Sequence, residues 1–185
     1  DQKTVLLKFN TAQSMIYERI KMLRAKKKPI RMIILKARQE GVSTFCEGLI
    51  FEKTVRQENT NSLIVAHEPE STDAIFAMSK LFYDMLPVDV KPMRRYDNKK
   101  QMVFENPDQK ARADDPGLRS RMVISTADKV KIGRGLTLHN FHGSEVAFWK
   151  NAKELMLSVM QAIPSLPTTA VFLESTANGF GGDGE

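Results

Sequence analysis

The chain has 185 residues, 42% of them hydrophobic and 27% charged, and a net charge of +6. That length suits one α/β domain with a real core and is short for two, and the composition excludes disordered and fibrous classes. No apolar run approaches the roughly 20 residues that span a bilayer, the start at Asp1 shows neither an initiator Met nor a signal-peptide pattern and reads as trimmed, and the single Cys46 cannot form an internal disulfide, which suits a reducing cytosol.

Short apolar runs alternate with amphipathic stretches, the pattern of a parallel sheet with crossover helices. Ile30 to Leu35 predicts a buried strand, and Thr44 to Arg56 a helix. Ser62 to Ala66 predicts a second strand. Ser71 to Leu86 predicts a strong helix, with Ile75, Met78, Phe82 and Met85 at helical spacing and Pro87 as its stop. Residues 87–118, rich in Pro, Asp, Asn and basic residues, predict a long insertion with a short strand at Lys100 to Phe104. Arg121 to Ser125 and Leu136 to His142 predict further strands. Ala152 to Ile163 predicts a helix ended by Pro164, and Thr169 to Leu173 a last strand. From Gly179 to Glu185 the chain turns to Gly and acidic residues, as a linker does. Met78, Met85, Met156 and Met160 are expected to pack into the core from apolar helix faces.

Lys and Arg gather at Lys26–Lys28 with Arg31, at Lys91, Arg94, Arg95, Lys99 and Lys100, and at Lys129, Lys131 and Arg134. Such patches favour a polyanionic partner through counterion release, and equally describe a solvated surface.

After the first strand comes Lys36-Ala37-Arg38-Gln39-Glu40-Gly41-Val42-Ser43-Thr44, opening directly into a helix. Against the phosphate-loop pattern G-x-x-x-x-G-K-[ST], Gly41 and Ser43 match, while Lys36 stands at the first Gly and Val42 at the Lys. Backbone N–H groups and a helix N-terminus still hold phosphates in such a loop, provided Lys36 or Arg38 supplies the missing cation. A plain strand-to-helix turn with Ser43 as N-cap fits the same residues.

The string Lys-Ala-Arg-Gln-x-Gly-x-Ser-Thr resembles the variant Walker A of phage large terminases, some of which carry their lysine at the start of the loop. The resemblance implies an α/β P-loop NTPase of the ASCE/RecA-like kind, with a mostly parallel sheet flanked by helices. Residues 36–44 would then bind ATP, with Lys36 and Arg38 on the phosphates and Ser43, or Thr44, on Mg²⁺.

An acidic partner is needed at another strand end. The strand to His142 leads into Gly143-Ser144-Glu145-Val146-Ala147-Phe148-Trp149. In the ordinary arrangement an Asp holds Mg²⁺ through water and the next Glu polarises the attacking water. Ser144 takes the place of the Asp, and the Ser-Glu form resembles one terminase Walker B, which implies Glu145 as catalytic base and as a metal contact through water. A solvated helix-start carboxylate is the plainer account of Glu145.

Thr169 to Leu173 feeds Glu174-Ser175-Thr176-Ala177-Asn178-Gly179. Small polar residues at a strand end sit at the ligand crevice of open α/β sheets. The run Thr176 to Gly179 resembles the terminase coupling motif, with Asn178 or Thr176 sensing the γ-phosphate. Phe9 to Gln13 resembles the family's adenine-binding segment, with Gln13 facing the base, and reads equally well as an ordinary N-terminal helix. Arg134, between Gly133 and Gly135, falls where related terminases carry an arginine finger, acting in its own subunit or, as family comparison leans, in a neighbour's; a DNA contact is the plainer account. His67, His139 and His142 have no metal-ligand spacing and read as structural or surface residues.

The resemblance spans Phe9 to Gly179. It implies residues 1–179 as an ATPase domain and 180–185 as the start of a linker to a nuclease domain, with no nuclease activity from this chain. It also implies ATP and Mg²⁺ as cofactors. The expected partners are double-stranded DNA, a portal protein, a small terminase subunit and copies of the chain in a ring, at the procapsid in the host cytoplasm, with no membrane. Two other functions compete. A helicase-like translocase usually keeps the loop Lys and an Asp-Glu pair, and a non-hydrolysing nucleotide-binding module is suggested by Val42 and Ser144.

Overall fold

The computed structural model describes residues 7–98, 100–128 and 137–179. Seven strands form one sheet: β1 (Ile30–Leu35), β2 (Asn61–Ala66), β3 (Tyr96–Asn98), β4 (Gln101–Phe104), β5 (Ser120–Thr126), β6 (Asn140–Ser144) and β7 (Ala170–Ser175). The helices are α1 (Thr11–Ala25), α2 (Val42–Arg56), α3 (Pro69–Asp84) and α4 (Ala152–Ala162). The order across the sheet is β1-β7-β6-β2-β5-β4-β3. The first five strands run parallel, and the insertion adds β4 and β3 antiparallel at one edge. This is the mostly parallel α/β sheet that the alternating pattern predicts.

Central strands here are apolar on both faces because helices cover both. Ile64 and Ala66 of β2 join a core with Phe45 and Ile50 of α2, Ile75 and Phe76 of α3, and Ile16 and Ile20 of α1. Leu63 and Val65, pointing the other way, join Leu155 and Val159 of α4 and Trp149. Each such buried side chain contributes about 1.5–3 kcal/mol relative to exposure. Parallel strands end at one edge, so Leu35 pairs with Ser175 and Ser144 with Glu174, bringing the ends of β1, β7 and β6 together.

Three of the boundaries that differ from the expectation bear on the site, and α3, expected at Ser71–Leu86, runs from Pro69 to Asp84. β6 runs on through Gly143 and Ser144, poor strand formers, because its register with β2 and β7 carries it there. Gly143 is required at that point: a Cβ would meet Trp149 Cη2 at 2.9 Å, Val146 Cγ2 at 3.0 Å and Leu173 Cδ2 at 3.1 Å. β7 likewise continues through Glu174 and Ser175. α2 begins two residues early, with Gly41 as its cap at φ 67°, so Ser43 lies inside the first turn and is not the N-cap.

Among the methionines, Met156 packs against the α4-side core, whereas Met85 and Met160 are exposed. Met85 caps α3 beyond its buried stripe, and Met160 is turned one residue away from buried Val159. Arg31 leaves the basic surface patch: its guanidinium donates to the carbonyls of Ile30 and Pro164 and to Thr169 Oγ1. Lys99, Lys129, Lys131 and Arg134 lie outside the described residues.

Candidate active site

β1 delivers the chain into the loop, and Lys36 N still bonds Ser175 O at 3.0 Å. Gln39 and Gly41 then take φ of 63° and 67°, left-handed conformations that turn backbone N–H groups into an anion-binding concavity. Helix α1 braces this loop. Gln13 Nε2 donates to Gly41 O at 2.9 Å and Asn10 Nδ2 to Glu40 O at 2.9 Å. Gln13 Oε1 accepts from Asn10 N at 3.1 Å, closing a capping box at the start of α1. The Gln13 carboxamide, read from sequence as a base contact, is thus occupied by the loop and the cap.

Val42 stands where the phosphate-loop pattern has a lysine. It is buried in the core, so the side chain at this position of α2 is turned into the protein and away from the loop surface. At the start of the same loop stands Lys36, whose Nζ lies 2.8 Å from Glu145 Oε1 and 3.2 Å from Glu174 Oε2. Glu145 leaves β6 at φ 55°, a left-handed conformation that is uncommon for a non-glycine residue. Its Oε2 accepts from Thr176 N at 3.1 Å and Thr176 Oγ1 at 3.0 Å. Loop, acidic strand end and the Thr176 segment therefore meet at one ammonium–carboxylate pair. Asn178 Nδ2 donates to Ala147 O at 2.9 Å, tying the same segment to the turn after Glu145. Ala37, Arg38, Gln39, Ala177 and Gly179 are exposed, Glu40 and Thr44 half-buried.

Burial opposes charge on both partners, and the contacts win. Lys36 is held above its usual range by Glu145 and Glu174 despite burial. Burial pushes Glu145 up, and Lys36 and Thr176 pull it below the ordinary carboxylate value.

Behind this pair lies a buried array that sequence reasoning did not single out. Ser43 Oγ donates to Glu174 Oε1 at 2.8 Å, and His142 Nε2 lies 3.3 Å from the same oxygen. His142 Nδ1 stands 3.6 Å from Glu47 Oε2, an ion-pair distance too long for a hydrogen bond. Ser79 of α3 donates to Glu47 Oε1 at 2.5 Å. Burial opposes ionisation of Glu174, but His142, Ser144 and Lys36 hold it down to about 2. Burial likewise lowers His142, and Glu174 and then Glu47 outweigh it, to about 9. His142 is thus fully buried, and of the two roles read from sequence, structural or surface, its place is the structural one. Two signals in the sequence pointed here. One is a charged residue ending an apolar strand, and the other is Ser43 and Glu47 four apart on one helix face.

No protein-family model and no curated protein matches the sequence. Solved structures do. The HK97 bacteriophage large terminase matches 91% of this chain at a TM-score of 0.67 and 12% identity. A point mutant of the Thermus phage P74-26 large terminase ATPase domain matches 94% at a TM-score of 0.61 and 16% identity. The unmutated P74-26 domain matches 86% at 0.51 and 18%. The fold is that of the large-terminase ATPase domains. It is a P-loop NTPase fold, and the chain spans 33% of the HK97 terminase chain and 67% of the P74-26 mutant chain. In this fold β7 runs between β1, which leads into residues 36–44, and β6, which ends just before Glu145. Among the described residues no helix is long and apolar enough to cross a membrane.

Proposed function

We propose that this chain is the ATP-hydrolysing motor domain of a viral large terminase, coupling ATP hydrolysis to translocation of double-stranded DNA into a procapsid. The observation that carries it is the meeting of Lys36, Glu145 and Thr176, from three separate strand ends, at distances of 2.8 to 3.1 Å. A structural turn needs no such convergence.

The phosphates bind the backbone N–H groups of residues 37–44 and the α2 N-terminus. Lys36 supplies the charge that the buried Val42 cannot, with Arg38 exposed at the mouth as a second cation. The oxygen donors of the site, the Ser43 hydroxyl first, suit Mg²⁺. Mg²⁺ supplies neutralisation of the charge that develops on the β- and γ-phosphate oxygens. Glu145, freed of Lys36 when phosphate engages the ammonium, accepts the proton of the attacking water as the β–γ bridge bond breaks to give ADP and phosphate. The two Thr176 donors on Glu145 Oε2 pass a change there to residues 176–179, which is the coupling role. Arg134 completes the charge from a neighbouring copy, in a ring on the portal in the host cytoplasm, with the small terminase subunit and DNA as further partners.

Mg²⁺-dependent ATP turnover per chain, measured across protein concentration with Glu145→Ala as blank, tests this. Turnover that needs Glu145 and rises with concentration is expected. Equal turnover in both proteins overturns the assignment of Glu145.

A further inference from the structure

In a P-loop site of the common kind, an Asp at the tip of another strand stands by the loop hydroxyl that ligates the cation. Ser144 occupies that tip on β6, so the usual carboxylate is missing. One strand over, in direct register with Ser144, stands Glu174 at the end of β7. It is 1% exposed, and an ionised group persists there only with strong partners. Its Oε1 accepts the Ser43 hydroxyl at 2.8 Å. Its Oε2, 3.2 Å from Lys36 Nζ, is buried without a hydrogen bond of good geometry. His142 flanks the carboxylate, with Glu47 and Ser79 behind it.

The direction of the Ser43 bond matters. A hydroxyl that ligates a cation must turn a lone pair to it and send its hydrogen elsewhere. Glu174 Oε1 receives that hydrogen. We propose that Glu174 replaces the Asp absent from position 144: the carboxylate serving the nucleotide's divalent cation comes from β7, where it orients the Ser43 hydroxyl and the Lys36 ammonium. The assignment rests on the nucleotide reading above, since the cation arrives with the phosphates. Among the described residues no group of three or more His, Cys, Asp or Glu side chains is arranged to hold a metal. Glu174 is thus a positioning residue.

The test is equilibrium binding of a fluorescent ADP analogue, in EDTA and in Mg²⁺, to the wild type, Glu174→Gln and the double variant Ser144→Asp/Glu174→Gln. The wild type binds more tightly in Mg²⁺. Glu174→Gln loses more affinity in Mg²⁺ than in EDTA, so that the Mg²⁺ gain shrinks by about tenfold or more. The double variant, with the carboxylate returned to β6, recovers it. An undiminished Mg²⁺ gain in Glu174→Gln overturns the proposal, as does an equal loss in EDTA and Mg²⁺, which marks a purely structural role. Should Glu174→Gln fail to fold, Glu174→Asp keeps the charge beside His142 but withdraws it by a methylene. A reduced Mg²⁺ gain is expected there too, and an unchanged one overturns the assignment. A wild type that binds no nucleotide in either buffer overturns the nucleotide reading itself, an outcome distinct from all of these.

Discussion

At Glu145 and His142 single side chains set measurable thresholds. Glu145 contacts Lys36 at 2.8 Å and receives two Thr176 donors. Glu145→Gln is expected to lower ATP turnover by about 100-fold or more, far beyond any change in nucleotide affinity, because the proton acceptor is lost; single-turnover hydrolysis beside equilibrium binding checks this. His142, ordinarily near 6.5, is held at about 9, so the folded state keeps a proton that the unfolded chain releases. Its contribution to stability is complete below pH 6.5 and is lost as pH rises towards 9. Glu174, ordinarily near 4.5, is held at about 2, and its contribution is present above pH 4.5 and lost as pH falls towards 2. Denaturant midpoints should therefore plateau between pH 4.5 and 6.5 and decline on both sides. His142→Gln should flatten the alkaline limb, and a limb as steep as the wild type's would mean that His142 does not hold this proton.

At the level of elements, two glycines decide how loop and strand sit. Gly41 takes φ 67°, and a Cβ there would meet Gln13 Nε2 at 2.8 Å. Gly41→Ala forces a left-handed alanine, costing about 1–2 kcal/mol, and displaces the α1 brace from the loop. Urea unfolding should show the loss, and nucleotide affinity should fall with it. Gly143→Ala crowds Trp149, Val146 and Leu173 beneath Glu145 and should cost about 1–3 kcal/mol by overpacking, seen as a lower Tm. Elements that apolar periodicity announces, such as β1 and α3, were legible in the sequence. The ends of β6 and β7 were not, because Gly143, Ser144 and Glu174 are residues a strand reading stops at. Pairing with neighbouring strands overrides that preference.

The whole molecule is unevenly covered. β1 is an edge strand whose one face packs on α1 and α2 through Ile30 and Ile34. Its other face leaves Ile33 87% and Leu35 76% exposed, above an open hollow of about 770 Å³ shared with Leu173 and Met156. Ile33→Lys is expected to change stability by no more than about 0.5 kcal/mol and to lower self-association, since a charge blunts an apolar edge. Ile64→Ala, at a fully buried position of β2, should cost about 2–5 kcal/mol. Denaturation and light scattering on both variants separate the two effects.

The sequence by itself determined the alternation of strands and helices, the loop from Lys36 to Thr44, and the two polar strand ends at Glu145 and Thr176, because periodicity and turn chemistry are local. Only the tertiary structure decided which side chains share the space. It buried Val42, gave Lys36 to both Glu145 and Glu174, occupied Gln13 with the loop, and set His142 between Glu47 and Glu174. Strand order did this: β7 lies between β1 and β6, so residues more than 100 positions apart become neighbours, and no local pattern encodes that order.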